Sequence, residues 1–313
     1  MSLGLFLLKR LPMYELKEKN NWKIFCACIL LFLIYGCNPS ADGISLKSIY
    51  SYDTTLPLNE GSALLLDTTG YQIHSVRFHS IMNQEIPGLL SIPNTGESPH
   101  PVIILLHGVG DRKEVDYVEA GHKILIEAGY AVMRIDIYNH GQRTLQDYDF
   151  DLKGDYKYWT RDMIRQTVFD LFRTIDYLET RSDIDSNKIG FYGISLGGMI
   201  GTIFSGLEKR VGATVITIAG GNLNFIYGTE ALASKHLDYL SIIDPINFVE
   251  MISPRPLLMI NAEDDEVIPP LSSKLLYKKA KEPKEIKWYP ATHKTVPLGQ
   301  VFQDGIDWFN AYL

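Results

Sequence analysis

The 313-residue chain has no cysteine after residue 37; its three are Cys26, Cys28 and Cys37. Everything that follows lacks a disulfide, a thiolate metal ligand and a thiol nucleophile, so its chemistry runs on oxygen and nitrogen groups. An excess of positive charge is missing as well. The formal net charge is −7, and non-specific nucleic-acid binding needs a basic face that displaces counterions, so no nucleic-acid partner is expected. No P-loop, H-E-x-x-H, EF-hand loop or dinucleotide G-x-G-x-x-G occurs, and neither a cofactor nor a metal is implied. Internal repeats and low-complexity tracts are also missing. With 46% hydrophobic and 11% aromatic residues, the chain is neither disordered nor collagen-like, and it has material for a sizeable core.

The N-terminus reads as an address. Ile24–Tyr35 (IFCACILLFLIY) is an apolar run preceded by Lys17, Lys19 and Lys23. A bilayer span takes about 20 apolar residues, so this run is short for a transmembrane helix and fits the apolar region of a secretory signal. Ile34-Tyr35-Gly36-Cys37 then resembles a bacterial lipobox, with Tyr35 bulkier than the small residue usual at that place. That resemblance implies cleavage before Cys37 and a lipid on its sulfur. The expected organisation is a signal over 1–36, a tether over 37–63 and a working domain over 64–313. Removal of a leader with five basic and two acidic residues takes the net charge from −7 to −10. Membrane attachment would then rest on the lipid anchor at Cys37. An uncleaved signal anchor, or an apolar helix packed on the body, is the competing reading.

From about residue 64 strand-like and helix-like segments alternate. Tyr71–His79 and Glu85–Ile92 read as an antiparallel pair around the turn Met82-Asn83-Gln84. Val102–Leu106 (VIILL) reads as a strand buried on both faces. Helix Lys113–Ala128, strand Ala131–Asp136, helix Arg161–Thr180, strand Lys188–Tyr192, helix Leu196–Leu207 and strand Ala213–Ile218 follow. A long insertion then precedes strand Leu257–Asn261, helix Leu271–Lys281, strand Ile286–Tyr289 and a closing helix from about Pro297. This order predicts an α/β fold: a mostly parallel sheet with helices on both faces and a short lid insertion.

Gly193-Ile194-Ser195-Leu196-Gly197 is a G-x-S-x-G pattern between a strand and a helix. That placement puts a serine on a sharp turn at the sheet's carboxyl edge, with flanking glycines to let the two backbones pass. The N–H of Leu196 opens the helix and faces any developing oxyanion. A serine hydroxyl needs a base to take its proton. Of the histidines after Ser195, His236 lies in a mixed polar segment and His293 in a loop before the last helix, which favours His293. An orienting acid is expected after strand Leu257–Asn261, where Asp265 opens a D-x-V-x-P stretch and Asp264 is the alternative one residue away. His107-Gly108-Val109-Gly110 follows VIILL and offers Val109 as a second oxyanion donor.

These segments, with EIPGLLSIP before the third strand and Asp136…His140-Gly141-Gln142-Arg143 after the fourth, resemble the α/β-hydrolase superfamily. The similarity is to its dienelactone-hydrolase-like and acetyl-esterase-like secreted esterases, over roughly residues 70–313. The resemblance implies Ser195 as nucleophile, His293 as general base and acid, Asp265 as orienter, and Leu196 and Val109 as oxyanion donors. Dienelactone hydrolases proper use a cysteine nucleophile; the serine here favours ordinary esters. The expected activity is therefore serine carboxylesterase on a small-molecule ester. The alternatives are a prolyl-oligopeptidase-like peptidase or amidase, and an idle envelope-anchored binding protein on the same fold. Two aromatic-rich stretches, 144–160 and 221–253, leave the same sheet edge. They make Tyr138, Phe225 and Tyr227 candidate substrate contacts, while Arg143 and His140 are expected to brace the loop. The sequence leaves the oligomeric state open.

Overall fold

Val102-Ile103-Ile104-Leu105-Leu106 has no polar face, and its alternate side chains feed two different cores. Val102, Ile104 and Leu106 join one buried cluster, and Ile103 and Leu105 join the other. A strand that is apolar on both sides must lie inside a sheet covered on both faces. The computed structural model describes residues 45–145, 150–223, 226 and 237–313. Among these, the strands form one nine-stranded sheet.

The strands are β1 (Gly61–Asp67), β2 (Tyr71–His79), β3 (Glu85–Pro93), β4 (His100–Leu106), β5 (Ala131–Ile135), β6 (Ile184–Ile194), β7 (Val211–Thr217), β8 (Leu257–Ala262) and β9 (Lys284–Tyr289). The helices are α1 (Leu46–Ile49), α2 (Asp116–Glu127), α3 (Lys157–Glu179), α4 (Leu196–Leu207), α5 (Leu237–Ser241), α6 (Pro270–Lys279) and α7 (Leu298–Tyr312). The sheet order is β1-β2-β3-β5-β4-β6-β7-β8-β9. β1 to β3, and β3 with β5, pair antiparallel; all other neighbours pair parallel. The fold is thus the mostly parallel α/β-hydrolase sheet. Val118, Leu125, Phe302 and Phe309 from α2 and α7 cover one face, and Val168, Phe172, Ile200 and Phe204 from α3 and α4 cover the other.

The chain runs from β4 out to β5 and then crosses back to β6 on the other side of β4. Strand order therefore reverses at β4, and ligands of open α/β sheets bind at the carboxyl ends beside such a reversal. The loops after β4 and β6 meet there.

Several boundaries differ from the sequence reading, each for a physical reason. Residues 46–313 form one unit, so the stretch from Leu46 expected as tether is part of the fold. Tyr50 is buried at 3% exposure, its hydroxyl donates to the Ile242 carbonyl at 2.7 Å, and Tyr52 stacks on Phe172. β1 has no sequence signature because Leu64, Leu65 and Leu66 are all exposed. It is an edge strand whose register shifts between Leu64 and Leu66, which breaks any alternation. α2 begins at Asp116, not Lys113, because the Lys113 side chain is drawn into the core. Its Nζ donates to Asp136 Oδ2 at 2.6 Å and Gln142 Oε1 at 2.8 Å. Among the described residues no helix is long and apolar enough to cross a membrane.

Candidate active site

Two backbones must cross closely where β6 turns into α4, and glycine is required on both sides of the turn. A Cβ on Gly193 would lie 2.4 Å from the Gly197 carbonyl oxygen, and one on Gly197 would lie 2.4 Å from that of His107. Between them Ser195 adopts φ 54°, ψ −118°, a conformation that costs a non-glycine residue about 1–3 kcal/mol. Its N–H donates to the Thr217 carbonyl on β7 at 2.9 Å, which clamps the turn to the next strand. The side chain is thereby lifted off the sheet edge at the N-terminus of α4.

The loops after β8 and β9 carry the pairing of those strands past their ends. Glu263 N–H donates to the Tyr289 carbonyl at 2.8 Å and Asp264 N–H to that of Ala291 at 3.0 Å. The next residues, Asp265 and His293, are thus brought face to face. His293 Nδ1 lies 2.9 and 2.8 Å from the two Asp265 carboxylate oxygens, and Nε2 lies 3.0 Å from Ser195 Oγ. Asp265 Oδ1 also accepts from the N–H groups of Val267 at 2.9 Å and Ile268 at 2.7 Å. A carboxylate with this donor set only accepts, so Nδ1 carries the imidazole proton and Nε2 presents its lone pair to the serine hydroxyl. Asp264 is exposed while Asp265 is buried. His293 N–H is held by Glu266 Oε2 at 3.1 Å, a backbone tether from the same acidic loop.

The loop after β4 passes directly over the serine: a Cβ on Gly108 would lie 3.4 Å from Ser195 Cβ. Gly108 N–H is committed to Tyr117 Oη at 2.7 Å, and that hydroxyl donates to Asp111 Oδ2 at 2.8 Å. The next N–H along the loop is that of Val109, whose side chain is exposed. On the other side, the N–H of Leu196 sits in the first turn of α4, where no intrahelical acceptor exists.

His107 is fully buried and fixes the loop from behind. Its Nδ1 pairs with the Gly108 carbonyl at 2.7 Å, and its Nε2 accepts from Ile137 N–H at 3.0 Å. Burial pushes this imidazole down to about 4, so it stays neutral with the proton on Nδ1. Lys113 and Asp136 tie the loop's far end: Asp136 Oδ1 accepts from Lys113 N–H at 2.8 Å, beside the side-chain pair. Breaking such a buried pair by deleting one partner costs about 3–5 kcal/mol. Arg143 bridges Asp170 Oδ2 at 2.5 Å and the Asp136 carbonyl at 3.3 Å, and so braces the loop after β5.

Sequence reasoning missed Tyr117, Lys113 and Asp136 as supports of this loop. The signal available was two charged residues and one phenol at strand and helix ends, with no spacing rule to join them. Of the candidate substrate contacts, Tyr138 lies on the loop after β5. Its ring centroid is 5.1 Å from Arg143 Cζ, and its N–H donates to Thr167 Oγ1 at 3.0 Å. Phe225, Tyr227 and Cys37 lie outside the described residues. Among the described residues no group of three His, Cys, Asp or Glu side chains is gathered to hold a metal.

Ser195, His293 and Asp265 form one hydrogen-bonded line that can move a proton from a hydroxyl to an imidazole. The sequence pattern of the Dienelactone hydrolase family matches residues 86–295. The chain is 24% identical to YtaP of Bacillus subtilis (strain 168) over 262 residues, which are 76% of this chain and 80% of that protein. Its fold is similar to an acetyl xylan esterase from Paenibacillus sp. R4, with TM-score 0.71 and 18% identity over 96% of this chain and 97% of that one. It is also similar to a cold-adapted esterase from an Arctic intertidal metagenomic library, with TM-score 0.62 and 20% identity over 84% and 99%.

Proposed function

Because the chain belongs to the dienelactone hydrolase family, and is on that ground a carboxylic ester hydrolase, we propose that it works through an acyl-enzyme on Ser195. The observation that carries this reading is the 3.0 Å approach of His293 Nε2 to Ser195 Oγ, with Asp265 on the far side of the imidazole.

In this reading Ser195 Oγ bonds to the ester carbonyl carbon while its proton passes to His293 Nε2. The carbonyl oxygen becomes an oxyanion between the N–H groups of Leu196 and Val109, and Asp265 stabilises the imidazolium. Collapse breaks the bond to the alcohol oxygen, which leaves with the proton from His293. Water then attacks the acyl-serine, gives its proton to His293, and the carboxylic acid departs as Ser195 regains a proton. A small acyl group is favoured, as the acetyl xylan esterase among the structural neighbours acts on acetyl esters.

The test is turnover of short-chain 4-nitrophenyl esters together with labelling by a fluorophosphonate. Turnover and labelling, both lost in Ser195→Ala, are expected. Peptide cleavage without ester turnover would favour an amidase, and neither activity would favour an idle binding protein.

The same reading has the protein exported to the bacterial envelope and held there by lipid on Cys37, supported by the apolar run Ile24–Tyr35 and the lipobox-like Ile34–Cys37. Labelled fatty acid should enter the wild type and not Cys37→Ala.

A further inference from the structure

Gly108 stands between a phenol and the serine. A Cβ on it would lie 3.3 Å from Tyr117 Oη and 3.4 Å from Ser195 Cβ. The peptide groups on both sides of Gly108 are held. Its N–H donates to Tyr117 Oη at 2.7 Å, and its carbonyl accepts from His107 Nδ1 at 2.7 Å. A hydroxyl accepts and donates at once, and the phenol donates onward to Asp111 Oδ2 at 2.8 Å.

These bonds set the direction of the next N–H. The Gly108–Val109 peptide is trans, so its N–H points opposite to its carbonyl. With the carbonyl on the buried imidazole, Val109 N–H points away from His107. A peptide whose carbonyl already accepts a hydrogen bond is also the better donor at nitrogen. His107 alone would leave the loop free to pivot at Gly108, because glycine has two wide dihedral ranges. The bond to Tyr117 removes that freedom by fixing the peptide on the other side. Tyr117 lies in the first turn of α2, whose Val118 and Leu125 are buried in the core. Burial and the bond to Asp111 hold the phenol well above its usual pKa, so it keeps its proton at neutral pH. Asp111, Tyr117 and Gly108 thus tie the loop over Ser195 to a packed helix, and a site held by rigid elements keeps its geometry.

We infer that Tyr117, oriented by Asp111, is a positioning residue for ester hydrolysis: it withholds Gly108 N–H from the site and aims Val109 N–H at the oxyanion. The inference rests on the esterase reading of Ser195 and adds the groups that hold its oxyanion loop in place.

The test compares Tyr117→Phe, Asp111→Ala and Asp111→Asn with the wild type, all as the full chain, with rates expressed per site titrated to completion by a fluorophosphonate. Tyr117→Phe keeps the ring and loses the oxygen. Acylation and deacylation pass through the same kind of oxyanion, so the loss should fall on kcat. For 4-nitrophenyl acetate kcat should drop about tenfold with KM unchanged, less than the hundredfold or more lost with a whole donor. Ser195 Oγ adds to the carbonyl carbon of 1,1,1-trifluorobutan-2-one, its proton passes to His293, and an oxyanion remains; the Ki of this ketone should rise by the same factor. Asp111→Ala should move both readouts in the same direction. Asp111→Asn, whose side-chain carbonyl still accepts from the phenol, should recover most of that loss. A lower titre with kcat per site and Ki unchanged would mean that Tyr117 only supports the fold, and would overturn the positioning role. Unchanged kinetics in both Tyr117→Phe and Asp111→Ala would overturn it too. If Tyr117→Phe does not fold, the two Asp111 variants decide by the same readouts. A wild type with neither ester turnover nor labelling would overturn the esterase reading itself.

Discussion

Gly197 and His107 meet backbone to backbone, so that a single methyl on Gly197 would stand 2.4 Å from the His107 carbonyl oxygen. The serine turn and the loop that carries Val109 are thus spaced by the absence of one side chain. Gly197→Ala must push the two apart. Displacements near 1 Å cost about a hundredfold in rate, and overpacking costs about 1–3 kcal/mol. We expect kcat/KM on 4-nitrophenyl acetate to fall at least about a hundredfold in a protein that still shows a cooperative urea transition. Full activity in this variant would mean that the spacing does not matter.

Asp265 and Asp264 are adjacent in sequence and opposite in setting, one buried against His293 and the other exposed. Asn at 265 leaves the shape but lets the imidazole turn to the wrong tautomer, a loss of about 10³–10⁴ in kcat by analogy with triads in general. Asp264→Asn should stay within about threefold, since an exposed carboxylate contributes little across water. Steady-state kinetics on both variants decide it; the reverse ranking would move the orienting role to Asp264.

Burial holds His107 neutral, down to about 4 in the folded chain, and lowers His122 and His140 in the same direction. The unfolded chain binds protons at these sites from about pH 6.5 downward, where the folded chain does not. Stability is therefore complete above about pH 6.5 and is lost as pH falls towards 4, at about 1.4 kcal/mol per pH unit for each such proton. Urea midpoints measured from pH 7 to 4.5 should fall, and His107→Gln should flatten that slope by up to one proton. An identical slope in the variant would show that His107 titrates normally.

Tyr50 tests whether the segment from Leu46 belongs to the fold. Tyr50→Ala removes a buried ring that touches Phe169 and Phe248 and should cost about 3–5 kcal/mol. Tyr50→Phe leaves the Ile242 carbonyl without its donor and should cost about 1 kcal/mol. Equilibrium urea unfolding reads both; no effect from Tyr50→Ala would return this stretch to a tether.

The parts of this fold that were legible in the sequence are those fixed by local rules. VIILL at 102–106 reads as a strand buried on both faces, and GISLG at 193–197 carries its turn in the glycine spacing. Leu196–Leu207 has the same bounds in sequence and structure. What was not legible depends on partners far along the chain. β1 is exposed on both sides of an edge, so its leucines alternate with nothing. Lys113 reads as helix surface until Asp136 and Gln142 are folded beside it. Tyr117 is one phenol among 18 tyrosines until Gly108 and Asp111 come to its hydroxyl. Trp159 on α3 and Met82 in the turn after β2 line one cleft although far apart in sequence, and no short-range pattern links such positions.

The central claim is that Ser195 carries the acyl group during turnover. The most direct measurement is to mix the protein with 4-nitrophenyl acetate, quench in acid within the first turnovers, and locate the added acetyl by peptide mass spectrometry. The account predicts acetyl on the Ser195 peptide in the wild type, more of it at early times than at exhaustion of substrate, and none in Ser195→Ala. Hydrolysis that persists in Ser195→Ala, or acetyl found on another residue with Ser195 bare, would contradict it.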